Sequence, residues 1–204
     1  MKNNYIFLFC LAFVTFSAAA QPVNYLSVPG FKELANIDPA GHSVLPSGRY
    51  VTPAEKMIRI THDPFGLAIS PDQKVAITMH ENAITIIDIA TMQQKRIPEY
   101  YNKKESPLIK GSFLGVSFDT QKSLVYLSGG DEGSVIVYDY VNYKKVDSIY
   151  LDGLFNGVKY QGSFTSDLIY NAPKNELLIL DRGNFRLVRY SLTQKKITAS
   201  IPTG

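Results

Sequence analysis

Short runs of alternating apolar and polar residues fill most of this chain, and they recur in a fixed order. Residues 65–97 read as an apolar strand, a turn at Pro71-Asp72-Gln73-Lys74 and a second strand. A polar turn at His80-Glu81-Asn82 follows, then a third strand and a turn into a short fourth strand ending at Ile97. The same order returns at 113–149 and at 166–201. Asp88, Asp139 and Ser191 hold matching places, so the period is 51 to 52 residues. In the later copies strands are predicted at 114–118, 124–128, 134–140 and 145–149, then at 167–170, 176–180, 186–191 and 196–201. Val, Ile, Leu, Tyr and Phe fill them, the residues that fit a pleated, half-buried surface. No stretch of useful length carries a helical period.

Four-stranded antiparallel units repeating at one spacing are the blades of a β-propeller. A sandwich of unrelated hairpins gives no reason for the same turn chemistry to return three times. The expected fold class is therefore all-β: a partial β-propeller of about three full blades, near 62–98, 113–150 and 164–201, within a segment spanning 49–204. Residues 49–60, RYVTPAEKMIRI, match the last half of the later repeats and are expected to be two outer strands of a closing blade. Three and a half blades do not close a ring, because propellers run to about 4 to 8. An open array would leave two apolar blade faces uncovered, so the chain is expected to be the front half of a longer product.

The N-terminus changes the picture. Residues 1–20 carry Lys2, an apolar run over 5–16 and the small residues Ala18-Ala19-Ala20 before Gln21, the layout of a secretory signal peptide. The run is too short for a permanent membrane span, which takes roughly 20 residues. The expected mature chain is exported, periplasmic or extracellular, without a membrane span, and starts with an extended lead-in over 21–48. Cys10, the one cysteine, leaves with the signal, and Phe9 before it excludes a lipid attachment site. No disulfide or thiolate metal site is then expected.

Loss of Lys2 takes the formal charge from +3 to +2. The densest basic runs are pairs at turns, Lys103-Lys104, Lys144-Lys145 and Lys195-Lys196. Scattered pairs of this kind blunt strand edges and do not form a nucleic-acid face.

The turn Ser70-Pro71-Asp72, the strand at 83–88 and the tripeptide Val125-Tyr126-Leu127 resemble the repeat of YVTN-type, YncE-like β-propellers. That group is similar in fold to the lactonase and haem d1 propellers. The runs at 45–49, 52–54 and 62–67 resemble the start of exported bacterial proteins that join such a propeller to a C-terminal alkaline-phosphatase-superfamily phosphoesterase domain. The resemblance implies that catalytic ligands and nucleophile lie outside these residues, so none is assigned here.

In a propeller the loops leading into each inner strand and those joining second to third strands share one end. That end would gather His62, Asp63, His80, Glu81, Asn82, Asp131, Glu132, Asp181, Arg182 and Asn184, with the long loops 99–110 and 152–161. Convergent polar groups around a channel mouth are where a ligand would bind. His80-Glu81 has the composition of a metal or acid–base pair, though adjacency on a turn is weak geometry. Three histidines in all are too few for a two-metal hydrolase site, and no nucleophile elbow or P-loop is present. Tyr100, Tyr101, Tyr140 and Tyr143 could line a sugar or peptide groove, whereas Tyr138 and Tyr190 hold matched positions that suit blade packing. Three functions fit: a non-catalytic ligand- or substrate-positioning propeller beside a phosphoesterase, a lactonase-like propeller working through His80, Glu81 and Arg182, or a surface interaction scaffold. Partners would be a small molecule or a C-terminal catalytic domain. Cofactor and ligand identity are not legible.

Overall fold

The computed structural model describes residues 27–38, 41–54, 57–61, 63–99, 106–108 and 114–203. The signal segment, His62, Tyr100, Tyr101 and the Lys103-Lys104 pair lie outside the described residues. The chain divides into two compact units, Met1–Met57 and Ile58–Gly204.

In the first unit, β1 (Ser43–Val44) pairs antiparallel with β2 (Tyr50–Val51). Gly48 takes a φ of +72° in the connecting turn, which Leu45 closes by accepting from its N–H at 2.8 Å. The Tyr50 ring stacks on His42 at 4.5 Å, and its hydroxyl donates to Glu33. Tyr50–Val51 therefore pairs with the lead-in, where the sequence pointed to a hairpin within 49–60. The described residues 57–60 carry no strand. An outer strand needs an inner neighbour to supply its ladder, and here the preceding segment supplies it.

The second unit holds three four-stranded antiparallel blades, each in simple up-and-down order. The first comprises β3 (Gly66–Ile69), β4 (Val75–His80), β5 (Ala83–Asp88) and β6 (Gln94–Ile97). The second comprises β7 (Val116–Phe118), β8 (Leu124–Ser128), β9 (Ser134–Asp139) and β10 (Lys144–Tyr150). A small hairpin, β11 (Gly153–Phe155) with β12 (Val158–Tyr160), precedes the third blade of β13 (Thr165–Asn171), β14 (Glu176–Asp181), β15 (Arg186–Ser191) and β16 (Lys196–Pro202). The hairpin replaces the loop expected over 152–161. Its turn is Asn156-Gly157, both at positive φ, the pairing that two-residue hairpins favour.

The repeat is visible in the turns as well as the strands. Asp88 accepts hydrogen bonds from the Thr91 N–H and hydroxyl, Asp139 from the N–H groups of Val141 and Asn142, and Ser191 from that of Gln194. Four residues on, Met92, Tyr143 and Lys195 all sit at a φ between +51° and +58°. Each turn thus closes with a short side-chain acceptor at its start and one left-handed residue before the fourth strand.

Two cores lie between the blades. Ile77, Met79 and Ile84 of the first blade meet Val125, Leu127, Ile136 and Tyr138 of the second. Tyr126 and Val137, on the opposite face of the second, meet Leu177, Ile179 and Val188 of the third. Tyr138 is buried, and Tyr190 packs against the second core, the packing expected of both. The inner strands approach so closely that side chains must be absent. A Cβ on Gly66 would lie 2.3 Å from the Leu114 carbonyl oxygen, and one on Gly115 would lie 2.8 Å from the Leu168 nitrogen. Both obstacles are backbone, which cannot rotate aside. Gly115→Ala should therefore cost about 1–3 kcal/mol, in the range of overpacked sites. Urea unfolding checks this: the midpoint should fall with little change in slope, and an unchanged midpoint contradicts the close approach.

Candidate functional site

The loops at one end of the blades are tied to one another by backbone bonds. The Thr165 N–H donates to the Gly130 carbonyl at 3.1 Å, and the Leu151 N–H to that of Gly133 at 2.9 Å. These link the β8–β9 turn to the segment leading into the third blade. The Arg182 N–H donates to the Phe164 carbonyl at 2.8 Å, which adds the β14–β15 turn. In the first blade, the Ser106 hydroxyl donates to the Asn82 carbonyl at 2.6 Å and holds the β4–β5 turn to the next loop.

The residues expected at this end divide into two groups. Asp63, Glu81, Asp131, Glu132 and Arg182 are exposed, and Asn82 is half-buried. His80, read as a turn residue, is instead the last residue of β4, 3 % exposed, with Nε2 3.0 Å from the Thr85 hydroxyl. That bond crosses from β4 to β5 and ties the imidazole to the neighbouring strand. Tyr140 packs edge-on against Phe118 at 5.1 Å, and Tyr143 lies under the Lys95 ammonium at 3.9 Å. Tyr140 is thus used in packing against the first core, while Tyr143 stays 46 % exposed. Among the described residues, no group of three or more His, Asp or Glu stands together to hold a metal ion.

Asp181 and Asn184 converge with Arg186, a residue the sequence reading passed over as the start of a strand. Asp181 is fully buried. Its Oδ2 accepts from Arg186 Nε at 2.7 Å and from Asn184 Nδ2 at 3.1 Å, and its Oδ1 accepts from the Phe164 N–H at 2.9 Å. Arg186, 1 % exposed, also donates from Nη2 to the Leu151 carbonyl at 2.9 Å and stacks 3.6 Å from the Tyr160 ring centroid. Asn184 reaches the Ser163 hydroxyl at 3.1 Å. Asp152 closes the neighbouring hairpin, accepting from the Gly162 and Ser163 N–H groups. The available signal was an acid and a base flanking a four-residue turn, because Asp181 and Arg186 face each other directly across the hairpin.

Three blades of four antiparallel strands, stacked face to face, make the architecture plain. The chain is a run of β-propeller blades. Solved structures agree: it matches hydrazine synthase of Kuenenia stuttgartiensis with a TM-score of 0.52 at 14 % identity, over 71 % of this chain and 38 % of that one. It matches the RRP9 WD40 repeats with a TM-score of 0.52 at 7 % identity, over 71 % of this chain and 40 % of that one. At such identities the likeness is one of fold. The chain spans about two fifths of the length of these two propellers. No protein-family model and no curated protein matches the sequence.

Desolvation pushes the Asp181 carboxyl upward, but hydrogen bonds from Arg186, Phe164 and Asn184 outweigh it and hold the pKa below the usual Asp value. The stabilisation is therefore present above the ordinary Asp pKa and is lost as pH falls through the lower folded value. Asp181→Asn should cost about 3–5 kcal/mol at neutral pH, since it leaves a buried guanidinium without its anion. It should also flatten the loss of stability below about pH 4. Chemical unfolding at neutral and acid pH checks both; a variant as stable as wild type would show that the pair is dispensable.

Proposed function

We propose that this chain is the non-catalytic, ligand- or substrate-positioning β-propeller portion of an exported protein. In this reading it is a YVTN/YncE-like propeller and the front half of a longer propeller–phosphoesterase, whose hydrolytic residues lie in a C-terminal domain. Its loops hold a small molecule or face that domain. The observation that carries the proposal is how the candidate groups are used. Asp181 is committed to Arg186 and His80 to Thr85, while Glu81, Asp131, Glu132 and Arg182 stand exposed on turns. Exposed charges on turns joined by backbone bonds can orient a ligand. A general base needs a lone pair within reach of its substrate, and a histidine buried in a sheet is poorly placed for that. Among the described residues, no helix is long and apolar enough to cross a membrane.

Two measurements test the proposal. Expressed with its natural N-terminus, the protein should appear outside the cytoplasm with Gln21 as its first residue, as read by N-terminal sequencing; intracellular protein retaining Met1 contradicts export. The purified chain should hydrolyse neither lactones nor phosphoesters. Lactone hydrolysis that disappears in His80→Ala, with folding intact by circular dichroism, would transfer the function to a catalytic propeller.

A further inference from the structure

An up-and-down sheet puts its first and third turns at one end and its second turn at the other. In these blades the two kinds of turn differ in charge. The second turns expose Glu81, Asp131 and Glu132 against the single cation of Arg182. The first and third turns carry lysine. On the first blade Lys74 and Lys95 stand at that end, both exposed. On the second it is Lys122 and the Lys144-Lys145 pair, and on the third Lys174 and the Lys195-Lys196 pair, again all exposed. These residues are scattered along the chain, but stacking the blades in one orientation gathers them. The Lys95 ammonium lies 3.9 Å from the ring centroid of Tyr143 on the next blade, and the Tyr170 N–H donates to the Ser117 hydroxyl at 3.0 Å. Turns of neighbouring blades therefore lie side by side.

The acids at this end are engaged close to home. Asp72 accepts from the Ser70 hydroxyl at 2.6 Å, and Asp88 and Asp139 close the turns described above. Asp119 is buried and accepts from the Tyr126 hydroxyl and from two N–H groups of its own turn. Glu176 is paired with Arg189 at 2.8 Å. Lys74 comes within 3.9 Å of Asp72, and Lys144 and Lys174 lie in the fields of Asp139 and Glu176. The lysines still outnumber these acids, so the end is positive. Apolar groups project among the charges: Val141 is 56 % exposed and Tyr143 46 %, at the tip of the β9–β10 turn just before Lys144-Lys145.

We propose that this lysine-bearing end is a peripheral docking surface for an anionic phospholipid bilayer. The lysines lie over the headgroup phosphates, and Val141 and Tyr143 enter the interface. Lysine is a compact point charge, suited to a diffuse array of phosphates, whereas arginine's planar fork suits a single oxyanion held in fixed geometry. A tyrosine beside an aliphatic residue, flanked by cations, matches the interfacial zone, where an apolar body and a polar tip are both accommodated. Docking this way turns the second turns away from the bilayer and leaves them open to solvent. The surface stands apart from those turns and does not rest on their role.

Flotation with vesicles of phosphatidylcholine containing about a third phosphatidylglycerol tests the surface. The processed chain, from Gln21, is used because the apolar run over 5–16 would itself enter any bilayer. Binding is expected at low ionic strength, with little to phosphatidylcholine alone, and it should fall steeply between about 0.05 and 0.5 M salt. Lys144→Gln with Lys145→Gln should weaken it about thirtyfold, at unchanged thermal stability. Tyr143→Asn, which suits the left-handed backbone at that position, should weaken it several-fold without a change of charge. Lys159→Gln, exposed on the β11–β12 hairpin, should leave it unchanged. Any of four results overturns the proposal: no binding to the anionic vesicles, equal binding to phosphatidylcholine alone, a Lys144/Lys145 double variant that binds like wild type or no worse than Lys159→Gln, or tighter binding to duplex DNA than to the vesicles.

Discussion

A four-stranded sheet with apolar residues on both faces cannot stand alone in water, and that constraint governs this molecule. The first and third blades bury one face and the second buries both, and the two cores between the three blades hold nearly all the large buried side chains of the second unit. The inner strands set how tightly the blades can close. Gly66 and Gly115 occupy the points where the next strand's backbone passes within contact distance, so the spacing of the stack is decided by two residues without side chains. Bulk at Gly66 would spread the first blade from the second, and bulk at Gly115 the second from the third.

Polar groups inside such a stack must find partners, and the third blade shows how. Asp181 and Arg186 lie opposite each other on β14 and β15, both buried, with Leu151, Phe164, Ser163 and Tyr160 completing their surroundings. The network reaches the segment before the blade and the β11–β12 hairpin, so one ion pair orders chain on both sides of a blade boundary. A buried pair of this kind is better evidence for a specified geometry than for net stability. It also explains why two of the polar residues gathered at this end, Asp181 and Asn184, are absorbed into the structure. Glu81, Asp131 and Glu132, on the other turns, are exposed.

The blades were legible because the determinants of a strand and its turn are local. Apolar alternation located the twelve blade strands to within a few residues, and the equivalence of Asp88, Asp139 and Ser191 reappears as three identically capped turns. Two features were missed for lack of length or of a partner. The β11–β12 strands have three residues each, too few for a period to show, although Asn156-Gly157 marked their turn. The strand at Tyr50–Val51 was recognised, but its pairing was not, since pairing depends on which segment reaches it first.

By itself the sequence determined what each segment becomes: all-β, four strands to a unit, turns closed by short acceptors, a fixed repeat. Those properties arise within ten or so residues and need no knowledge of what packs above or below. Tertiary structure decided the fate of individual polar side chains. His80 looked like a turn residue and is buried against Thr85, and Asp181 looked like a ligand group and is an anchor for Arg186. Whether a carboxylate or hydroxyl faces solvent, a partner or a cavity depends on register and on the neighbouring blade, and neither is written in local periodicity.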